Sequence, residues 1–476
     1  MAESKRRAAS PSEYGSGSLV IRGGTVVDAG GTRVADVVVS GGVVVEVGPD
    51  VAVPPGAKVL DAGGCLVAPG LVDLHTHLRQ PGAEDAETIE TGARAAALGG
   101  FTAVVAMPNT DPPVDSAAVA LEVLSLGSGA ACQVAVAGAI TMGRAGEHLA
   151  PIGELAALGV RLFTDDGAGV QDVSVMRRAL EYARGFDVIL AQHCEDDALA
   201  SGGHMHEGEW SSRLGVPGIP AEAEELMVAR DIALVRLTGG RVHFLHISTA
   251  RSAALVAAAK AEGLSVTAEV TPHHLSLTHA ELAGYDPVFK VNPPLRSGAD
   301  VCALRAACAS GIIDAVATDH APHAPERKDA TLDVAPPGML GLQTALPVVL
   351  GALGAAGVDP EHGVDPEHGA GSERNGAGRD RPQAMSVRDV LGLLSWRPAR
   401  IAGLARDQGG EHGGPIEPGA PANICVIDPA ATWEVDPARL ASRSRNTPWA
   451  GRVMTGQVRH TVFRGEAVVV DAQVQR

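Results

Sequence analysis

Aromatic side chains make up only 3% of the 476 residues, so any core must be filled by Ala, Val and Leu. The six cysteines, at 65, 132, 194, 302, 308 and 425, form no CxxC pair and no even spacing. That excludes a disulfide framework or a cysteine-based metal knuckle and predicts free thiols in a reducing compartment. No stretch reaches the roughly 18 uninterrupted apolar residues of a membrane span, and MAESKRRAASPSEYGSGS has no apolar run behind its basic residues. The chain therefore reads as cytoplasmic and soluble, with no membrane partner. Positive charge is also short: the formal net charge is -18, and no Lys/Arg stripe offsets it, which excludes nucleic acid. Lysine is missing altogether between Lys58 and Lys260.

What is present is 45% hydrophobic residues, with 58 Gly and 31 Pro marking many tight turns. A chain of this length and apolar content buries a large core. Residues 1–18 are small, polar and unpatterned, and read as a disordered tail. Valine-rich runs follow between Gly pairs, LVIRGG, TVVD, ADVVVSGGVVVEVG and KVLDAGGCLVAPG, and predict strands of a small antiparallel sheet. The last sixty residues repeat this texture in NICVID, TWEV, QVRHTVFRG and EAVVVD. Residues 19–70 and 415–470 thus predict a composite β-sandwich domain built from both ends of the chain.

The middle changes rhythm. Eight apolar runs, at 72–77, 102–107, 133–138, 160–165, 187–193, 241–246, 265–270 and 314–319, alternate with alanine-rich helical stretches. Strands alternating with helices predict an α/β fold, a TIM-like (β/α)8 barrel over 71–414, with a doubly wound sheet as the rival. A tract at about 355–385 with a tandem copy of VDPEHG reads as a linker insertion, and helical sequence resumes at SVRDVLGLLSWRPARIAGL.

Chemistry-bearing residues collect at the C-terminal ends of these runs, where barrels of this kind carry their active sites. The first run ends in His75-Thr-His77, and strand alternation points both imidazoles the same way. The pair alone says little. The fifth run ends at His193, the sixth at His246 and the eighth at Asp319, so four strands deliver imidazole or carboxylate to one rim. Those are the ligand types of a catalytic zinc.

His75-x-His77 after PGLVD, HCED at 193–196, HIST at 246–249, TPHH at 271–274 and ATDHAPH at 317–323 together resemble the amidohydrolase superfamily and, within it, the dihydroorotases. The resemblance runs from about Leu19 to Val470. It implies a zinc-dependent cyclic amidohydrolase that interconverts N-carbamoyl-L-aspartate and L-dihydroorotate in pyrimidine biosynthesis. In the superfamily a fourth-strand lysine commonly bridges two metals, but this chain has none there. The family members that lack it use the second aspartate of FTDDG, which carries the bridge to Asp166 and leaves Asp165 a structural role. The implied ligand set is His75, His77, Asp166, His193, His246 and Asp319, holding one or two Zn2+, with Asp319 also the catalytic acid and base.

Arg79 in HLRQPG, Asn109 in MPNT, Asn292 in KVNPPLR and His323 in DHAPH would bind the substrate, Arg79 gripping a carboxylate with its two-pronged guanidinium. Arg296 reads as a structural anchor. His273, His274 and His320 lie outside the complete ligand set. Residues 320–338 form a polar stretch that could close over the site. Three positions depart from the family: Gln80, Asn423 and Pro337. Allantoinases and hydantoinases share the site and are the rival activities, separated by Arg79, Asn109 and the absent lysine. A homo-oligomer is expected, the resemblance also implies assembly with aspartate transcarbamoylase, and a metal-free, non-catalytic scaffold in that assembly is the rival from a different class.

Overall fold

The valine-rich segments at the start of the chain pair with one another and with the end of the chain, because each buries only one face. One sheet runs in the order Val43–Gly48, Asp36–Ser40, Leu19–Arg22, Lys58–Asp61. A second, seven-stranded sheet joins Thr25–Asp28 and Leu66–Pro69 to Ile424–Glu434 and Val453–Phe463. Leu19, Ile21, Val37 and Val39 of the first sheet pack on Val26, Val67, Ile424 and Val426 of the second. The expected antiparallel sheet is in fact two mixed sheets: Leu19–Arg22 runs parallel to Lys58–Asp61, and Thr25–Asp28 parallel to Leu66–Pro69. Such long-range pairings carry no local sequence signal. The second sheet also extends past residue 470, to Gln473–Val474.

This computed structural model describes residues 17–354 and 384–476. The tail expected to end at residue 18 is shorter by one residue at least, because Ser18 is buried and its carbonyl accepts from Lys58 N. The linker expected at 355–385 lies outside the described residues except for Ala384 and Met385. Met385 is buried and its N–H donates to Leu353 O, so the linker reading runs too far there.

All eight apolar runs contain a strand: β1 Leu71–Thr76, β2 Phe101–Ala106, β3 Gln133–Val136, β4 Leu162–Phe163, β5 Ile189–Gln192, β6 Val242–Phe244, β7 Val266–Val270 and β8 Ala315–Val316. β1, β2 and β3 pair in parallel, as do β4 through β8. A bridge between Gly138 and Phe163 links the two sets on one side, and one between Thr76 and His320 on the other. Asp73 reinforces that second junction by accepting from Thr318 N at 2.9 Å and Thr318 Oγ1 at 2.5 Å. Inside, Leu74, Val105, Ala137, Leu162, Ala191, Leu245, Ala315 and Ala317 form one cluster to which seven of the eight strands or the segments just after them contribute. Four of these eight are alanines and none is aromatic.

Helices follow the strands, started by side chains that satisfy free backbone N–H groups. Thr88, Asp172, Thr249 and Ser297 each cap the helix that begins at the next residue, a contribution of about 1 kcal/mol apiece. No helix among the described residues is long and apolar enough to cross a membrane, and all six cysteines are unpaired.

Candidate metal centre and pocket

His75 and His77 leave the end of β1 with ring centroids 5.2 Å apart. His77 Nε2 lies 3.1 Å from Asp319 Oδ1 and 3.5 Å from Asp166 Oδ2, and His75 Nε2 lies 3.4 Å from Asp166 Oδ1. From the ends of β5 and β6, His193 Nδ1 and His246 Nε2 face each other at 3.0 Å and approach Asp166 Oδ1 at 3.5 and 3.6 Å. All six residues are buried. Asp166 is the shared member, touching histidines from three strands.

Two overlapping groups result, His75 with His77 and Asp319, and His75 with Asp166 and His246, each with donor atoms close enough to hold one ion. His75 Nε2 and Asp166 Oδ1 are buried and have no hydrogen-bond partner, a costly arrangement unless a cation takes both. Electrostatics agree. Burial opposes charge on Asp319 and Asp166, yet the adjoining His75 and its neighbours hold both carboxyls far below their usual range. Burial likewise opposes a charged His75, and the carboxylates of Asp166 and Asp319 push its pKa well up. A cluster that draws protons onto a buried histidine suits a divalent cation. Imidazole and carboxylate are the ligands expected for it.

Ring tautomers are set from behind. His75 Nδ1 donates to Glu269 Oε1 at 3.0 Å, and His243 Nε2 donates to Glu269 Oε2 at 3.0 Å. His77 Nδ1 donates to Asn109 Oδ1 at 2.9 Å. Both β1 histidines therefore present Nε2 to the cluster. His246 and Asp319 hold their positions with positive φ, 31° and 46°, a strained backbone that the surrounding packing must enforce.

The cluster opens into a cavity of about 250 Å³ lined by His77, Asp166, His193, His246 and Asp319 together with Arg79, Asn109, Asn292 and His323. Every residue read from the sequence as a substrate contact, and every residue read as a metal ligand except His75, lines this cavity; His75 is fully buried. Arg79, at φ 62°, is anchored through Nε to Pro322 O at 3.0 Å. Asn292 Nδ2 donates to Glu195 Oε1 at 3.0 Å. His323 Nε2 donates to Pro337 O at 2.7 Å, and burial with the nearby Arg79 pushes its pKa down to about 3, so it is neutral.

Asp165 turns away and accepts from Ile140 N and Thr141 N. His274 is taken up by Thr271 and Pro293 O, and His320 by Glu87 and the N–H of Gly341. Arg296 is buried and donates to Ser248 Oγ and Ile219 O. Sequence reasoning missed Glu269, Glu195 and the second duty of Asn109. An acid inside the apolar run VTAEV was the available signal for Glu269.

A family model described as dihydro-orotase-like matches residues 64–252. The dihydroorotase of Pelotomaculum thermopropionicum is 46% identical over 459 residues, covering 96% of this chain and 100% of the relative. That of Mycobacterium tuberculosis is 46% identical, covering 96% and 100%. Among solved structures, the L-hydantoinase (dihydropyrimidinase) of Arthrobacter aurescens superposes with a TM-score of 0.79 at 22% identity, over 96% of this chain and 97% of its own. A dihydropyrimidinase of Brevibacillus agri gives 0.78 at 24% identity, over 96% of each. These structures share the fold.

Proposed function

The chain belongs to the dihydroorotase family, and on that premise we propose that it interconverts L-dihydroorotate and N-carbamoyl-L-aspartate in pyrimidine biosynthesis. The observation that carries the reading is the buried His75, His77, Asp166, His193, His246 and Asp319 cluster, opening into a pocket edged by Arg79, Asn109, Asn292 and His323. We read β1 to β8, with their two bridging contacts, as a closed (β/α)8 barrel over 71–414, and the two mixed sheets as a separate sandwich domain from both ends of the chain.

Zinc is the cation we assign, and His75, His77, Asp166, His193, His246 and Asp319 would hold it as one or two ions. Bound there, it supplies an activated water near neutral pH and polarises the scissile carbonyl. Arg79 pairs with the substrate carboxylate, and Asn109 Nδ2, left free because Oδ1 serves His77, adds a directional donor. Neutral His323 and Asn292 complete the cradle without adding charge. Asp319 Oδ2, not engaged by His77, takes the proton of the attacking water and passes it to the departing ring nitrogen.

The test is hydrolysis of L-dihydroorotate by the zinc-loaded chain, followed by loss of ultraviolet absorbance, with allantoin and hydantoin beside it. Turnover of dihydroorotate that falls by at least about 100-fold in Asp319→Asn supports the reading. Opening of hydantoin or allantoin alone would replace the substrate while leaving the centre intact.

A further inference from the structure

Only five lysines occur in the chain, at 5, 58, 260, 290 and 328, in a protein otherwise supplied with arginine. Lys290 and Lys328 are both buried, and neither forms an ion pair among the described residues. Their ammonium groups go instead to main-chain carbonyls, in opposite directions across one gap. Lys328 Nζ donates to Pro287 O at 2.8 Å, Pro336 O at 2.9 Å and Lys290 O at 3.4 Å. Lys290 Nζ donates to Leu332 O at 2.7 Å and Asp333 O at 3.3 Å, with His204 Nδ1 at 3.5 Å. Gly338 N–H closes the set by donating to Lys290 O at 2.9 Å.

The two segments so joined are both walls of the pocket. Val291 and Asn292 follow Lys290 directly, and Pro336, Pro337 and Gly338 lie at the end of the loop that Lys328 begins. Pro337 O in turn receives His323 Nε2. At Gly338, φ is 135° and an added Cβ would stand 2.8 Å from His323 Nε2, so the wall is pressed against the ligand-facing imidazole. An ammonium can aim three donors at three carbonyls around one point, which arginine's planar fork cannot. That geometry gives a reason for lysine here in an arginine-rich chain. Burying two ammonium groups is expensive, and burial pulls the pKa of Lys328 down to about 7; apart from His204 their acceptors are backbone carbonyls, so what they hold is the path of the loop.

We propose that Lys290 and Lys328 are positioning residues, a reciprocal clamp that fixes the Pro336-Pro337-Gly338 wall against Asn292 so that the substrate pocket is formed before substrate arrives. The proposal rests on reading this pocket as the dihydroorotate site. It also replaces the freely closing lid expected at 320–338 with a wall already in place.

The test uses the full, zinc-loaded chain with Lys328→Met, Lys328→Gln and Lys328→Arg, measuring steady-state kinetics with L-dihydroorotate and amide hydrogen exchange without substrate. The clamp predicts a KM raised about tenfold or more with kcat within about threefold, as expected when preorganisation is lost. It also predicts at least about tenfold faster exchange at 329–338 with β1 to β8 unaffected, and no rescue by arginine. Lys328→Gln serves if the Met variant does not fold. An unchanged KM, exchange that speeds up everywhere, or full rescue by arginine would overturn it. If the wild-type chain leaves dihydroorotate intact, the substrate reading fails, and the exchange measurement decides the clamp by itself.

Discussion

Glu269 on β7 accepts from His75 on β1 at 3.0 Å through one oxygen and from His243 on β6 at 3.0 Å through the other. One carboxylate thereby sets the tautomer of a metal-facing ring and ties it to a neighbouring strand. Glu269→Gln keeps the shape but loses the charge that makes His75 a strong donor. Zinc affinity should fall about 10- to 100-fold, read by competition with a chromophoric chelator. Equal affinity in the two proteins would show that Glu269 only packs.

Arg79→Met removes the guanidinium from the pocket and leaves the six metal-facing residues in place. A hydrogen-bonded charge is worth about 1.5–3 kcal/mol, so kcat/KM for dihydroorotate should fall roughly 10- to 100-fold while bound zinc per chain stays the same. Loss of zinc would mean that the residue supports the centre instead.

Arg296 is buried beside Glu224, 3.8 Å away, and donates to Ser248 and Ile219. Arg296→Met removes the cation beside Glu224, whose oxygens still accept from Ser248 N and Thr249 N, and should lower stability by roughly 1–3 kcal/mol, measured by denaturant unfolding of the metal-loaded chain. A change below about 1 kcal/mol would contradict this.

His412, far from the pocket, is held between Thr102 Oγ1 at 3.0 Å and Gln133 Oε1 at 2.9 Å. Burial and then the charge of Arg464 push its pKa down to about 3. The unfolded chain, with an ordinary value near 6.5, therefore binds the extra proton first as pH falls. His412 destabilises the fold progressively below pH 6.5, down towards 3, and has no such effect above it. Between pH 6.5 and 5 the stability of His412→Gln should decline less steeply than that of the wild type. Parallel curves would refute it.

Residues at the ends of apolar runs were legible in the sequence because a polar side chain stands out where a strand stops. That is how His75, His77, His193, His246 and Asp319 were found, and the structure brings them together. Asp166 needed family resemblance, since Asp165 beside it looks the same until their hydrogen bonds are seen. Glu269 was hidden inside a run counted as apolar, and its role depends on which strands neighbour β7. Lys290 and Lys328 were illegible because their partners are carbonyl oxygens, which every residue has. The mixed sheets escaped for a related reason: Leu19 meets Lys58, and Thr25 meets Leu66, in parallel, pairings that only the folded chain defines.

The clasp between Asp73 and Thr318 spans 245 residues. A ribosome adding about 5–20 residues per second needs roughly 10–50 s to cover that distance, so β1 emerges long before its partner exists. Through that interval β1 can have β2 along one edge, but its other edge and the two histidines wait for β8 and Asp319. Newborn chains should therefore lean on holding chaperones more heavily than refolding full-length protein does, and translation stalled before residue 318 should yield nothing that keeps metal.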